Sequence, residues 1–155
     1  MFTVWRMVTA RFTNTAFSGE GARRYSGRWN HKGVPLVYTA GSQSLAMLEM
    51  LVQDEPLRAR YFMIPAEIPS GFRMDQVNLD QLPPDWREHS ALERLGTIGT
   101  EWATQQSSTI LAFPSAVVPT ETNYLLNPKH PDFANISIGE PQELVTCLLY
   151  TSPSP

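Results

Sequence analysis

Residues 45–52 read Leu-Ala-Met-Leu-Glu-Met-Leu-Val, which places seven apolar side chains around the carboxylate of Glu49. A helix this apolar is expected to be mostly buried. Because an unpaired carboxylate is costly to bury, Glu49 is expected either to line a pocket or to be paired. The helix offers no Lys or Arg three or four positions away, where the residues are Leu45, Ala46, Val52 and Gln53. A charged partner for Glu49 must therefore come from elsewhere in the fold.

The segments around this helix carry strand patterns. Ser42 is placed to cap the helix, which we expect to end near Gln53. Apolar residues at helical spacing predict a second helix over residues 92–102. The predicted strands are residues 3–8, 34–40, 60–68, 110–113, 116–118 and 124–126, with the start of another at residues 143–145. Strands outnumber helices and are not regularly interleaved with them, which favours an α+β fold with a largely antiparallel sheet.

Residues 13–33 are rich in Gly, Ser, Asn and Arg and show little periodicity, which predicts a long loop. A loop of this length in a compact domain is more often functional than idle. It carries Arg28 and leads into the strand that holds Tyr38. An Arg, a Tyr and a Glu therefore follow one another at short intervals.

Composition restricts the class of protein. The 155 residues suit one domain with a real hydrophobic core, and 17% of them are charged. The net charge of −3, without a Lys/Arg cluster, argues against nucleic-acid binding. No apolar run is long enough to span a bilayer, and the first residues do not resemble a secretion signal, so we expect a cytoplasmic protein.

Cysteine and histidine content argues against a metal site. Cys147 is the single cysteine, which excludes an internal disulfide and a thiolate metal site. The histidines, His31, His89 and His130, are scattered without ligand spacing. We therefore expect no metal cofactor.

Each candidate site residue also has an ordinary structural explanation. Arg28 can anchor its loop through a surface salt bridge, which contributes little to stability. Tyr38 can be a core aromatic with a satisfied hydroxyl. Ser115, at a strand junction beside a proline, can be a turn former. From the residues alone, an enzyme with an Arg/Tyr/Glu pocket and a purely structural role for these side chains both stay open.

The ordered set of segments resembles the RES domain, the toxin half of RES–Xre toxin–antitoxin pairs. The resembling segments are residues 5–6, 18–22, 27–30 with Gly33, 37–40, 44–49, 114–119 and 121–133. The Arg, Glu and Ser for which the family is named align with Arg28, Glu49 and Ser115. We therefore predict one RES domain over residues 1–145. The family usually closes on a short strand with Asp and Arg, whereas residues 146–155 form an atypical tail that we expect to be non-native.

The resemblance implies a fold and an activity. RES domains resemble ADP-ribosyltransferases of the diphtheria-toxin and poly(ADP-ribose) polymerase type, in which split, mainly antiparallel sheets with flanking helices frame an NAD-binding cleft. The family consumes NAD+, by hydrolysis, phosphorolysis or ADP-ribosyl transfer, and thereby arrests bacterial growth. The implied substrate is therefore NAD+, with cleavage at the nicotinamide–ribose bond.

The resemblance also implies roles for particular side chains. The expected catalytic residues are Arg28, Tyr38, Glu49 and Ser115, and the expected NAD+-binding residues are Arg6, Arg28, Tyr38 and Asn127. Glu49 would stabilise an oxocarbenium-like transition state. Tyr38 would hold the nicotinamide ring with its flat face, and Arg28 and Arg6 would clamp the pyrophosphate or a ribose. Ser115 would bring a hydroxyl to the cleft.

The partners implied by the resemblance are an Xre-type antitoxin that blocks the cleft, NAD+, and phosphate or a protein as acceptor. Neither a membrane nor a nucleic acid is expected as a partner of this chain. Three alternatives stay open beside the NAD+-cleaving toxin: a protein ADP-ribosyltransferase, a non-catalytic NAD+-binding regulator, and an interaction module without a ligand.

Overall fold

The computed structural model of the protein describes residues 1–53 and 60–144. Within these residues the strands are β1 (Phe2–Thr9), β2 (Val37–Ala40), β3 (Tyr61–Ile68), β4 (Met74–Gln76), β5 (Ile110–Pro114), β6 (Thr122–Leu126), β7 (Ser137–Ile138) and β8 (Gln142–Leu144). The α-helices are α1 (Glu20–Arg24), α2 (Gln43–Gln53) and α3 (Leu92–Gln105). Short 3-10 helices cover Ala10–Thr15, Leu79–Gln81, His89–Ala91 and Pro131–Asn135.

The strands form one sheet in the order β4-β5-β6-β2-β1-β3-β7, with β8 also paired to β3. Every pairing is antiparallel except that between β4 and β5. The expected α+β fold with a mainly antiparallel sheet is therefore confirmed.

The sheet is divided near its middle. β1 pairs with β3 along its whole length, from Phe2 to Thr9, and all of β2 pairs with β6. By contrast, β1 and β2 pair only at Trp5 and Ala40. The two halves of the sheet therefore separate next to this single pair, as the resemblance implied.

Side-chain alternation along the strands divides the core between the two faces of the sheet. One face carries a cluster that includes Val4, Val8, Val37 and Ile64. On the other face, α3 packs over β5 and β6 through residues such as Leu95, Trp102 and Leu125. Beside it, α2 packs over β1 and β3 through Leu45, Ala46, Met7 and Met63. The second face therefore has a gap between two helices, at the point where the sheet divides.

The helix that carries Glu49 begins as the sequence predicts. The backbone N–H of Leu45 donates to Ser42 Oγ at 3.1 Å, which is the expected N-terminal cap. Leu45 and Ala46 are buried against the sheet, whereas Val52 near the end of α2 is exposed. This orientation directs the middle of the helix, where Glu49 lies, towards the gap.

Three sequence predictions need correction. Residues 116–118 form bends rather than a strand, because Ser115 Oγ accepts hydrogen bonds from the N–H groups of Val117 and Val118 and competes with strand pairing. The predicted loop over residues 13–33 contains α1, whose Glu20 pairs with Arg23. The strand predicted over residues 34–40 begins only at Val37.

The predicted tail, residues 146–155, lies outside the described residues. In the described part of the chain, no helix combines the length and apolarity needed to cross a membrane.

Candidate active site

A cleft of about 440 Å³ opens on the second face of the sheet, where β1 and β2 separate. This volume falls within the range of roughly 300–1,000 Å³ that small-molecule sites occupy. Residues from β1, α1 with the turn after it, β2, α2 and β5–β6 line the cleft, among them Trp5, Arg6, Tyr25, Arg28, Trp29, Tyr38, Glu49, Met50, Phe113 and Asn123. Four of the six predicted site residues therefore meet in one cavity: Arg6, Arg28, Tyr38 and Glu49.

Glu49 is the only carboxylate among the described residues that line the cleft. Its Oε2 accepts two hydrogen bonds, from Ser115 Oγ at 2.9 Å and from Asn123 Nδ2 at 2.5 Å. No hydrogen bond reaches its Oε1 from the residues the structure describes. The carboxylate is thus oriented through one oxygen while the other is available to a ligand.

Ser115 lies behind Glu49 and not in the cleft. Its side chain is fully buried, and its Oγ accepts from Val117 and Val118 while it donates to Glu49. The two backbone N–H groups leave the hydroxyl proton directed at the carboxylate. Ser115 is therefore both the turn former and a group that orients Glu49, and its hydroxyl does not face a ligand.

The segment with Arg28 forms a tight turn in which Gly27 bridges to Asn30. The buried Asn30 side chain accepts from Gly27 N–H at 3.0 Å and donates to the carbonyl oxygens of Ala22 and His31. A Cβ at Gly27 would lie 2.6 Å from the Tyr38 hydroxyl oxygen, so only glycine allows this approach. The turn holds Arg28 half-buried at the cleft, with its guanidinium donating to the carbonyl oxygen of Trp86 at 3.2 Å.

Tyr38 presents its ring to the cleft while its hydroxyl is engaged elsewhere. The hydroxyl donates to Asn30 Oδ1 at 2.6 Å and accepts from Trp29 N–H at 3.0 Å. Burial raises the pKa of the Tyr38 hydroxyl well above its usual value, although nearby Arg28 opposes the shift. Tyr38 therefore stays neutral and contributes a ring surface rather than a base or a nucleophile.

Arg6 occupies the gap between the two halves of the sheet. Its guanidinium donates to the Tyr38 carbonyl oxygen at 2.9 Å, across the point where β1 and β2 do not pair. Its Nε is buried without a hydrogen-bond partner, and no ion pair joins it to a described carboxylate. Burial lowers the pKa of the Arg6 guanidinium to about 10. Arg6 is thus a cation whose charge is poorly compensated by its described surroundings.

Asn127 does not reach the cleft. Its Nδ2 donates to the carbonyl oxygen of Ala103 and its Oδ1 accepts from Lys129 N–H. Its contacts tie the segment after β6 to α3, and its side chain does not line the cleft that holds Glu49. The structure therefore gives Asn127 a role in the fold and no contact with the predicted NAD+ site.

The model of the RES domain family matches residues 3–146, which is nearly the whole chain. The chain belongs to the RES domain family.

Curated relatives of this RES domain are bacterial toxins. It is 42% identical over 132 residues to Toxin Res of Yersinia enterocolitica, covering 84% of this chain and 86% of the relative. It is 36% identical over 138 residues to the Prs ADP-ribosylating toxin of a Sphingobium species, covering 85% and 86%. It is 29% identical over 109 residues to the NAD(+) phosphorylase MbcT of Mycobacterium bovis, and the match covers 64% of this chain and 57% of that relative.

The fold of this RES domain also occurs in a solved structure. A chain in the crystal structure of the Mycobacterium tuberculosis MbcT–MbcA toxin–antitoxin complex superposes with a TM-score of 0.79. The match is 18% identical and covers 96% of this chain and 87% of that chain. At this identity the likeness establishes the shared fold.

The structure adds two residues to the site of this RES domain that the sequence did not indicate. Asn123 binds the catalytic candidate Glu49, and Asn30 holds the Tyr38 hydroxyl. The only sequence signal for either is its place within a family segment, since an asparagine beside a strand or in a turn is ordinary. Their burial, 7% and 1% exposed, is what distinguishes them from surface asparagines.

Proposed function

We propose that this chain is the toxin of a bacterial toxin–antitoxin system and cleaves NAD+ at the nicotinamide–ribose bond. The observation that carries the proposal is Glu49, the single carboxylate among the described residues that line the cleft, with two hydrogen-bond donors on one of its oxygens. The relatives named as an ADP-ribosylating toxin and as an NAD(+) phosphorylase support it. Depletion of NAD+ would arrest the growth of the cell, and the protein would act in the cytoplasm.

Glu49 is placed to stabilise the transition state. When the bond between the ribose C1′ and the nicotinamide nitrogen breaks, its electron pair leaves with nicotinamide and positive charge develops on the ribose ring. The free Oε1 of Glu49 can accept a hydrogen bond from a ribose hydroxyl, and the ionised carboxylate stabilises the developing charge. Nicotinamide leaves as a neutral molecule, so no general acid is required.

Tyr38 and the two arginines supply binding surface for the rest of NAD+. The Tyr38 ring offers a flat apolar face to the nicotinamide ring. Among the described residues that line the cleft, Arg6 and Arg28 carry two positive charges and Glu49 carries one negative charge. The pyrophosphate of NAD+ carries two negative charges, so it complements these guanidinium groups.

The acceptor of the ADP-ribosyl group defines the reaction. Water would give free ADP-ribose and phosphate would give ADP-ribose 1″-phosphate. The purified protein, incubated with NAD+ with and without phosphate, is expected to release nicotinamide, and chromatography identifies the second product. Folded protein that binds NAD+ and leaves it intact under both conditions would support a binding regulator instead.

Transfer to a protein is the second candidate. The relative named as an ADP-ribosylating toxin is 36% identical to this chain over 138 residues, and its name favours transfer over hydrolysis or phosphorolysis. In that case labelled NAD+ would mark one protein in a cell extract, while purified toxin alone would release little nicotinamide.

An antitoxin partner follows from the same proposal. A fold shared with a chain of a toxin–antitoxin complex supports an antitoxin of this chain that covers the cleft. An Xre-type protein is the partner that we propose. Coexpression with it would restore growth.

Arg6 offers a direct test of the binding half of the proposal. In Arg6→Met we expect affinity for ADP-ribose to fall about 10- to 100-fold, because a charge-assisted contact to the pyrophosphate is lost. The free energy of unfolding should change by less than about 1 kcal/mol, since one lost hydrogen bond is offset by removal of a buried, poorly compensated charge. Calorimetric titration and urea unfolding measure the two effects.

The control for this test is Arg11→Met, because Arg11 is exposed and stacks on Phe12 outside the cleft. We expect it to bind ADP-ribose as the wild type does. Unchanged affinity in Arg6→Met would remove Arg6 from the binding site.

A further inference from the structure

Three asparagine side chains are buried in the described part of the chain, and they differ in how they are paired: Asn30, Asn123 and Asn127. Asn30 uses both ends of its amide, since its Oδ1 accepts two hydrogen bonds and its Nδ2 donates two. Asn127 also uses both ends, each on the backbone. Asn123 donates from Nδ2 to Glu49 Oε2, and its Oδ1 is buried without a hydrogen-bond partner.

Asn30 and Asn127 stabilise the fold through both ends of their amides, whereas the side chain of Asn123 does not. A buried carbonyl oxygen without a donor is unfavourable, because it has lost its bond to water and gained none in exchange. The backbone of Asn123 pairs with Ala40 and Phe113 in the sheet, and other residue types can supply these bonds. The side chain of Asn123 therefore destabilises the fold through its unpaired oxygen. Its single hydrogen bond is made to Glu49.

The geometry of that contact restricts the carboxylate. Ser115, directly after β5, and Asn123, in β6, donate to the same oxygen of Glu49. Two donors on Oε2 fix the rotation of the carboxylate plane, whereas a single hydroxyl would leave it free to turn. Oε1 is then left to face the cleft.

We propose that Asn123 is a positioning residue that holds the Glu49 carboxylate in its reactive orientation. The inference rests on the proposed function, since it assigns Asn123 to the same reaction. Asn123 acts through Glu49 and orients the carboxylate that meets the ribose. Its unpaired oxygen is the cost of that arrangement.

The first test is Asn123→Leu, which keeps the approximate size and shape of the side chain and removes the donor. We expect kcat for NAD+ loss to fall about 10- to 100-fold with little change in KM, as for other groups that orient a catalytic residue. The melting temperature should stay within about 3 °C of the wild type, because the unpaired oxygen is removed too. The matched variant Asn127→Leu should melt much lower, because it leaves two backbone groups unpaired.

The second test is Asn123→Asp, which keeps the shape and adds a second carboxyl group beside Glu49. Two carboxyl groups at hydrogen-bond distance share one proton, so the pair binds its last proton more tightly than an isolated carboxyl group does. At low pH the introduced carboxyl group is protonated and donates to Glu49 as the amide does. As pH rises that proton is lost, the two charges repel, and activity falls.

The pH profile of Asn123→Asp should therefore decline on the alkaline side where that of the wild type does not. In the described part of the chain, the other titratable side chains that line the cleft are two arginines and two tyrosines, Arg6, Arg28, Tyr25 and Tyr38. The control Asn135→Asp adds the same charge at an exposed position in a 3-10 helix. It should keep the wild-type profile.

The outcomes separate the inference from the function on which it rests. Failure of the folded wild type to consume NAD+, with and without phosphate and in a cell extract that supplies protein acceptors, overturns both. A wild type that consumes NAD+, beside an Asn123→Leu variant with the same kcat, overturns the positioning role alone. An Asn123→Asp profile parallel to the wild type does the same. Melting of Asn123→Leu as low as Asn127→Leu would make Asn123 structural and would also overturn the inference.

Discussion

Glu49→Gln is expected to abolish NAD+ cleavage while the protein stays folded. The amide has the same shape, and its oxygen can still accept from Ser115 and Asn123, so α2 should keep its place. The substitution removes the negative charge that we propose stabilises the oxocarbenium-like transition state. We expect the rate of NAD+ loss to fall about a thousandfold or more, with the free energy of unfolding within about 1 kcal/mol of the wild type.

The matched control is Glu101→Gln, which removes one negative charge from the exposed side of α3. It should consume NAD+ and arrest growth as the wild type does. The rate of NAD+ loss is followed in purified protein, and growth arrest in cells that express each variant. A folded Glu49→Gln protein that is as active as Glu101→Gln would remove Glu49 from the reaction.

Gly99→Ala is expected to cause the largest loss of stability. Gly99 lies in α3 against the backbone of Trp29, and a Cβ there would overlap the Trp29 carbonyl oxygen and lie 2.9 Å from its carbonyl carbon. Trp29 cannot move aside, since its ring packs on Phe113 with ring centres 4.8 Å apart and its backbone N–H donates to the Tyr38 hydroxyl. We expect the free energy of unfolding to fall by about 3 kcal/mol or more, as measured by urea unfolding.

Gly96→Ala, one helical turn earlier, is the matched comparison. Its Cβ would lie 2.6 Å from the ring of His31. That ring is partly exposed and makes only long contacts, of 3.4–3.5 Å, with Thr97 and Glu93, so it can turn aside at small cost. The gain in helix propensity offsets part of the cost, so we expect a loss of less than about 1.5 kcal/mol. Equal losses for the two variants would contradict the close approach of α3 to Trp29.

The surroundings of Glu49 show how far a sequence can predict this site. The apolar helix, its cap at Ser42 and the need for a partner outside the helix all follow from residues 42–53, and the structure confirms the cap and supplies the partners. The partners themselves, 66 and 74 residues further along the chain, could not be found by spacing. Their approach depends on how β5 and β6 pair across the sheet, which is a tertiary property.

Ser115 shows a different limit of prediction. Its type and position suit both a turn former and a site residue, and in the structure one hydroxyl does both. The strand predicted after it was wrong because a side chain competed with the sheet for backbone N–H groups, and β propensity does not register that competition. The resemblance named Ser115 as a site residue, but only the structure shows that its hydroxyl donates to Glu49 and does not line the cleft.

The expected NAD+-binding residues also differ in how far the structure brings them to the cleft. Arg6 and Tyr38 lie on facing strands at the division of the sheet, so their predicted meeting follows once the topology is known. Asn127 is in a family segment as well, yet its amide is used by the backbone of α3 and the turn after β6. Membership in a segment that resembles the family does not by itself distinguish a residue that lines the cleft from one that closes a turn.

The decisive measurement of NAD+ cleavage is the release of nicotinamide by the purified protein, followed by chromatography over time. We expect nicotinamide to appear in step with the loss of NAD+ in the wild type and not in Glu49→Gln. Intact NAD+ after incubation with the folded wild type, with and without phosphate and with no protein labelled in a cell extract, would contradict it.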